Sequence, residues 1–200
     1  ACAPYRRLSV CDYNLEKMGT KKIDNTHKLL AEVCMAAKYE AESLINYRAQ
    51  YDAEHHDFGS TICTVLARSF ADIGDIIRGK DLYLSYDKKE KDQRKQLDDK
   101  LKDIFGKIHS EVTKTKTLKD RYKDDTDGNY YKLREDWWYA NRRQVWKALT
   151  CKAPQDANYF KPPQNGTREF TNGHCGRNEG NVPTYFDYVP QYLRWFEEWA

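Results

Sequence analysis

The sequence predicts an all-α fold: an irregular, disulfide-linked N-terminal segment followed by a bundle of long helices. Three observations carry that reading. Apolar residues recur at three- and four-residue steps through several long stretches, the spacing of a helix with one buried face. One of these stretches, 136–151, gathers three of the five tryptophans, Trp137, Trp138 and Trp146, together with Arg142, Arg143 and Cys151. The six cysteines, Cys2, Cys11, Cys34, Cys63, Cys151 and Cys175, form no CxxC pair. Their wide spacing suits disulfides in an oxidising compartment and not a zinc site.

Composition sets the outer limits. Two hundred residues with 40% hydrophobic, 32% charged and 14% aromatic side chains make a folded chain with a real core, not a disordered one. A net charge of +3 is too small to argue for nucleic acid and permits only weak attraction to anionic glycans or membranes. No apolar run approaches the ~20 residues of a membrane span. No signal peptide opens the chain, and both ends look cut, so the sequence reads as a piece of a longer protein.

Residues 1 to 26 carry little helical periodicity; Pro4, Gly19, two cysteines and scattered basic residues suggest a cross-linked lead-in. From about Asn25, Leu29, Leu30, Val33, Ala37, Ala41, Leu44 and Ile45 mark a long helix, with Cys34 on or beside its apolar face. His55-His56-Asp57 is a polar break; adjacent histidines point in different directions, which disfavours a metal site. Ser60 or Thr61 caps the next helix, whose buried stripe is Ile62, Val65, Leu66, Phe70, Ile73 and Ile77, with Gly79 as its stop. Asp72 and Asp75 lie three apart on it. With no Gly-rich loop or histidine nearby they read as salt-bridge partners, and Arg142 and Arg143 are the natural candidates to answer them.

Residues 80 to 96 are dominated by charge and read as a solvated face or loop. Leu97, Leu101, Ile104, Phe105, Ile108 and Val112 then form an amphipathic helix. Residues 114–128 are a polar loop that ends in the turn signal Asp127-Gly128-Asn129. In the helix from Tyr130 to Leu149, Trp138, Val145 and Leu149 share one face, flanked by Trp137 and Trp146, and each buried tryptophan needs a partner for its indole N–H. Prolines and glycines make 151–183 a connection without long regular structure. Asn165-Gly166-Thr167 fits a glycosylation sequon. A last helix begins near Pro190, with an aromatic stripe of Tyr188, Tyr192, Trp195 and Trp199. These boundaries give three parts: 1–58, 59–183 and 184–200. Nothing in the chain forms a phosphate loop, a Gly-x-Ser-x-Gly elbow or a metal-spaced histidine cluster, so no enzyme, cofactor or metal is expected.

Five blocks of the sequence resemble one family. They are residues 1–12 (ACAPYRRLSVCD), 30–40 (LAEVCMAAKYE), 67–79 (ARSFADIGDIIRG), 136–151 (DWWYANRRQVWKALTC) and 182–196 (VPTYFDYVPQYLRWF). Together they resemble the Duffy-binding-like domain of the malarial erythrocyte membrane protein one variant surface antigens, alpha class. The resemblance implies a helical, disulfide-linked adhesion domain on the surface of an infected red cell, of which this chain holds the first two subdomains and lacks the third. It implies that the motif blocks are scaffold and that receptor contacts lie in variable segments, here about 81–94, 114–129 and 157–177. The implied partners are host glycans or receptor proteins (heparan sulfate, complement receptor, blood-group sugars) contacted in rosetting, with antibodies and the adjoining domains of the same chain beside them. For an anionic glycan the candidate contacts are Arg6, Arg7, Lys88, Lys89, Lys91, Arg94 and Lys95. The alternative is a structural or immune-decoy segment with no receptor of its own. Among the fifteen possible cysteine pairings, Cys63 with Cys151 is preferred because each lies on or at the end of a major helix. Cys2 with Cys11 fits within the lead-in, and Cys34 and Cys175 pair with each other or with residues outside the chain.

Overall fold

The computed structural model describes residues 2–55, 61–83, 85, 87–125, 127–164 and 167–200. His56, Asp57, Ser60, Asn165 and Gly166, which belong to the polar break, one cap candidate and the sequon, lie outside them. Two short helical turns, α1 (Tyr5–Leu8) and α2 (Tyr13–Glu16), make the lead-in. The long helices are α3 (Thr26–His55), α4 (Ile62–Arg78), α5 (Lys88–Val112) and α7 (Tyr131–Leu149); α6 (Lys116–Arg121) and α8 (Gln191–Trp199) are short. A two-stranded antiparallel hairpin, β1 (Phe160–Gln164) with β2 (Thr167–Phe170), interrupts the long connection before α8. The fold is mostly helical.

The core sits where α4 crosses α3 and α7. Trp138, Trp146 and Phe70 are buried together, with Phe70 5.1 Å from the Trp138 ring and 5.2 Å from the Trp146 ring. Trp137 meets Phe105 of α5 edge to face at 6.1 Å, so α7 presents one tryptophan to α4 and another to α5. Their indoles fare differently from the expectation. Trp138 Nε1 donates to Asp187, but Trp137, Trp146 and Trp195 have no hydrogen-bond partner among the described residues. Burial of the rings outweighs that loss.

Close approach of α4 and α7 needs a missing side chain. A Cβ at Gly74 would lie 2.8 Å from the Trp138 ring. Gly74→Ala should therefore destabilise the domain by about 1–3 kcal/mol through overpacking, although alanine is the better helix former. Thermal unfolding checks it: an unchanged or raised Tm would show that the interface has room.

Helix ends are sealed by neighbours in sequence and, at the end of α4, also by a distant arginine. Gly79 adopts the left-handed conformation (φ 71°), and Lys80 N–H returns to Asp75 C=O at 2.8 Å, which ends α4 as expected. The buried Arg134 guanidinium then donates to the Ile76 and Ile77 carbonyls and to Asp98. At the other end of α7's sequence neighbourhood, the Asp125 carboxylate accepts from the N–H groups of Lys132 and Leu133 and so caps α7. Helix α5 begins earlier than the charge run suggested. Asp87 accepts from Glu90 N–H while Glu90 accepts from Ser85 Oγ, so the run 88–95 is helix from its first lysine, not loop. The polar stretch after α5 likewise holds one short helix, α6, before the Asp127-Gly128-Asn129 turn, where Gly128 has φ 76°.

The disulfide pairing differs from the preferred one. Cys63 is bonded to Cys175, with the two Cα atoms 5.4 Å apart, while Cys151 is a free, half-buried thiol just past α7. The connection after α7 folds back over the start of α4, and it is this segment, not the end of α7, that reaches Cys63. The turn that presents Cys175 holds His174, Cys175 and Gly176 all at positive φ. Cys2, Cys11 and Cys34 are also free, so neither a Cys2–Cys11 link nor a Cys34–Cys175 link is present.

Candidate functional site

The two carboxylates of α4 form the centre of a buried polar layer. Asp72 pairs with Arg194 at 2.7 Å and with Arg6 at 2.8 Å; Asp75 pairs with Arg78 at 2.8 Å and with Arg194 at 2.5 Å. The expected partners are corrected here: Arg142 bonds Asp187, through Nε at 2.7 Å and Nη2 at 2.8 Å, and Arg143 is exposed. Arg142 cannot serve Asp72 or Asp75 because the Asp187 turn stands over it, bracketed by the rings of Tyr185 and Tyr188. Burial tends to raise both α4 carboxyls. In Asp72 the Arg6 and Arg194 charges outweigh burial and hold it below the usual range, whereas burial leaves Asp75 raised to about 6. Every oxygen partner here is an arginine or glutamine of the same chain. This layer ties α4 to the lead-in and to α8.

Those contacts also explain α8. Its buried residues are Gln191, Arg194 and Trp195, and Gln191 donates to Asp72 and Asp81 while accepting from Leu82 N–H. Of the expected aromatic stripe only Trp195 is buried; Tyr188, Tyr192 and Trp199 are exposed. The helix is seated by charge pairing, so aromatic spacing misidentified its inner face.

The basic candidates separate into two groups. Arg7 is fully buried and ion-paired to Asp81; Arg6 is held by Asp72 and Glu198; Arg94 is ion-paired to Asp12. Arg7 and Arg94 also flank the Tyr83 ring, at 5.0 and 5.8 Å from its centroid. These three arginines fasten the lead-in to α4, α5 and α8, and their ion pairs commit their charges within the fold. Lys88, Lys89, Lys91 and Lys95 are exposed on the first two turns of α5, and none is ion-paired among the described residues. Lys88, Lys91 and Lys95 follow helical i, i+3, i+7 spacing and share a face. Lys91 and Lys95 border a cleft of about 510 Å³ whose far wall includes Gly79, Asp81 and Tyr83. Lysines in the first turn oppose the helix dipole, at about 0.3–1 kcal/mol each, so stability does not account for their placement.

Comparison with known proteins fixes what kind of chain this is. The family model for the Duffy binding domain matches residues 1–194. The chain belongs to the Duffy binding domain family. The NTS-DBL1(alpha-1) domain of the Plasmodium falciparum membrane protein 1 (PfEMP1) from the varO strain is 47% identical, with a TM-score of 0.84 over all of this chain and 43% of that one. The NTS-DBL1-alpha and CIDR-gamma double domain from the same strain is 48% identical, with a TM-score of 0.85 over all of this chain and 27% of that one. A DBLb domain of PfEMP1 bound to human ICAM-1 is 32% identical, with a TM-score of 0.67 over 97% of this chain and 38% of that one. This Duffy binding domain chain thus spans less than half the length of the solved relatives it matches. No curated protein matches it.

The sequence marks the lysines of α5, which are exposed here, and does not mark the residues that hold the end of the chain on the bundle. Asp187 and Arg194, which pin the end of the chain to α4, lie inside the block 182–196 and carried no spacing signal of their own. Glu90, which helps to start α5, had one: Asp87 and Glu90 are three apart, the spacing of a capping box.

Proposed function

We propose that the chain is the N-terminal part of an extracellular adhesion domain of a PfEMP1-type variant surface antigen, displayed on the infected host erythrocyte. In this reading it corresponds to the first two of three subdomains, is not an enzyme, and contacts host cell-surface glycans or receptor proteins in cytoadhesion or rosetting. Family membership and the similarity to PfEMP1 domains, one of them bound to human ICAM-1, support the adhesion role. No helix among the described residues is long and apolar enough to cross a membrane.

The observation that carries a glycan partner is the set of exposed lysines on α5 that make no ion pair among the described residues. Lys88, Lys89, Lys91 and Lys95 offer ammonium groups to sulfate or carboxylate, as in heparan sulfate, on a rigid helix next to a cleft. Attraction of this kind is screened by salt. In surface plasmon resonance, the full-length domain that contains this chain should bind heparin at low ionic strength and lose affinity steeply as salt rises. Lys91→Ala with Lys95→Ala should weaken binding by about tenfold, while Arg143→Ala, elsewhere on the surface, should change it little. Salt-insensitive heparin binding, or none, would sink the anionic-glycan version.

A further inference from the structure

The end of α5 and the start of α7 hold a histidine in an aromatic setting far from the lysine face. His109 is half-buried in the last turn of α5, and its ring meets two tyrosines from separate segments. The Tyr130 centroid lies 5.2 Å away with the planes tilted by 41°, and the Tyr122 centroid 6.3 Å away at 60°. Two backbone features admit Tyr130. It takes the left-handed conformation, φ 55°, at the N-cap of α7, and its ring passes over Gly106, where a Cβ would stand 3.2 Å from the hydroxyl. Tyr122 comes from the turn after α6. No residue of α6 itself is buried, whereas Tyr122 is 6% exposed. The apolar seat of α6 is therefore small: Tyr122 against His109, with Leu118 half-buried beside the core.

The His109 ring can carry a charge only at a cost to this seat. Its Nε2 is buried and has no hydrogen-bond partner among the described residues. A neutral imidazole has one N–H, and with that hydrogen on Nδ1 the buried Nε2 presents only a lone pair. The imidazolium has two, so Nε2 would become a buried donor with no acceptor. The carboxylates on the elements packed around it are committed elsewhere. Asp136 of α7 accepts from Arg121 and from the Tyr122 hydroxyl, and Asp125 accepts from the N–H groups of Lys132 and Leu133. On α5 and just beyond it, Asp103 pairs with Lys107 and Glu111 with Lys114. Two influences favour the cation, the C-terminal end of α5 and the tyrosine ring faces. Neither supplies an acceptor, and a buried donor left bare costs more than a helix end returns. Imidazole is also the side chain whose charge changes in mild acid.

We propose that His109 is a proton-operated latch for α6. Neutral, it seats Tyr122 and Tyr130 and holds α6 on the bundle; protonated, it turns Nε2 out to water and lets α6 leave. Helix α6 lies within one of the segments where the family resemblance places receptor contacts. A consequence for binding rests on that reading, whereas the latch does not.

Hydrogen–deuterium exchange of the full-length domain at about pH 7.5 and about pH 5.5 tests this, with rates expressed as protection factors so that the intrinsic pH dependence of exchange drops out. Protection of residues 116–122 should fall by about tenfold at the lower pH, while that of α4 stays within about twofold. His109→Phe keeps a ring against both tyrosines but takes up no proton, so its protection over 116–122 should be the same at both pH values. His109→Gln, a second neutral side chain of polar character, should also lose the pH dependence, and circular dichroism verifies that each variant folds. Unchanged or raised protection of the wild type in acid overturns the proposal, and so does a fall that persists in both variants. The readout involves no receptor, so its failure is distinct from a failure of the adhesion reading.

Discussion

Cys175→Ser should destabilise the full-length domain by about 4 kcal/mol, one of the two largest effects we expect. The Cys63–Cys175 bridge closes a loop with a sequence separation of 112 residues, and in the chain-entropy account a loop of about 100 residues is worth close to 5 kcal/mol. Native-state geometry offsets part of the effect. Three successive left-handed residues, His174, Cys175 and Gly176, are held by the bridge and by Cys175 N–H bonding to Ala157 C=O. Left-handed backbone costs about 1–2 kcal/mol at a non-glycine residue, so without the bond this turn has reason to open. Both sulfur-bearing residues are fully buried, at the point where the connection after α7 covers α4. Denaturant unfolding without reductant, with wild type and Cys151→Ser as references, makes the measurement. Cys151 is free, so its substitution should cost less than about 1 kcal/mol. Equal losses in the two variants, or a peptide map that joins Cys63 to Cys151, would refute the pairing.

Asp187→Ala should cost about 3–5 kcal/mol. The Asp187 carboxylate is 2% exposed and accepts three hydrogen bonds: from Trp138 Nε1 at 2.8 Å, Arg142 Nε at 2.7 Å and Arg142 Nη2 at 2.8 Å. Removal leaves a guanidinium buried between α4 and α7 without its counter-charge, and an unpaired buried charge is costlier than the absence of the whole pair. Arg142 Nη2 retains only the Thr184 carbonyl, and Trp138 loses its acceptor. Pairing the change with Arg142→Met should therefore recover part of the loss, because the stranded charge is gone. The double-mutant cycle reads that coupling directly. If Asp187→Ala cost less than 1 kcal/mol, or if the second substitution deepened the loss, the pair would not be the structural tie described here.

The contrast between these two sites shows what was legible in the sequence. Helical period located α3, α4, α5 and α7 because each buries an apolar stripe, and burial of that kind is a local property of spacing. Gly79 was legible as a stop because a left-handed residue after a helix favours glycine. Partner choice was not legible. Asp72 and Asp75 were recognised as ion-pair carboxylates, but nothing in composition tells Arg6 and Arg194 from Arg142 and Arg143; only the path of the chain does. The same limit misassigned Cys63, since the turn at 174–176 depends on how the long connection folds back. Helix α8 failed for another reason: its inner face is Gln191, Arg194 and Trp195, and a helix seated by charge does not display an apolar stripe. At the candidate surface the lysines of α5 were readable as charge, whereas the ion pairs of Arg6, Arg7 and Arg94 were not, because their partners Asp72, Asp81 and Asp12 lie in distant segments.

The polar layer on α4 also governs when the fold can be completed. Asp72 and Asp75 enter the chain early, yet one of their counter-charges, Arg194, lies 122 and 119 residues later in sequence. During synthesis from the N-terminus the buried pair waits for the whole helical body to be made, since α4 cannot bury two carboxylates on the strength of Arg6 and Arg78 alone. Cys63 waits almost as long for Cys175. The middle of the described chain thus depends on a segment more than a hundred residues away, and a chain cut before Arg194 should leave both carboxylates short of a counter-charge.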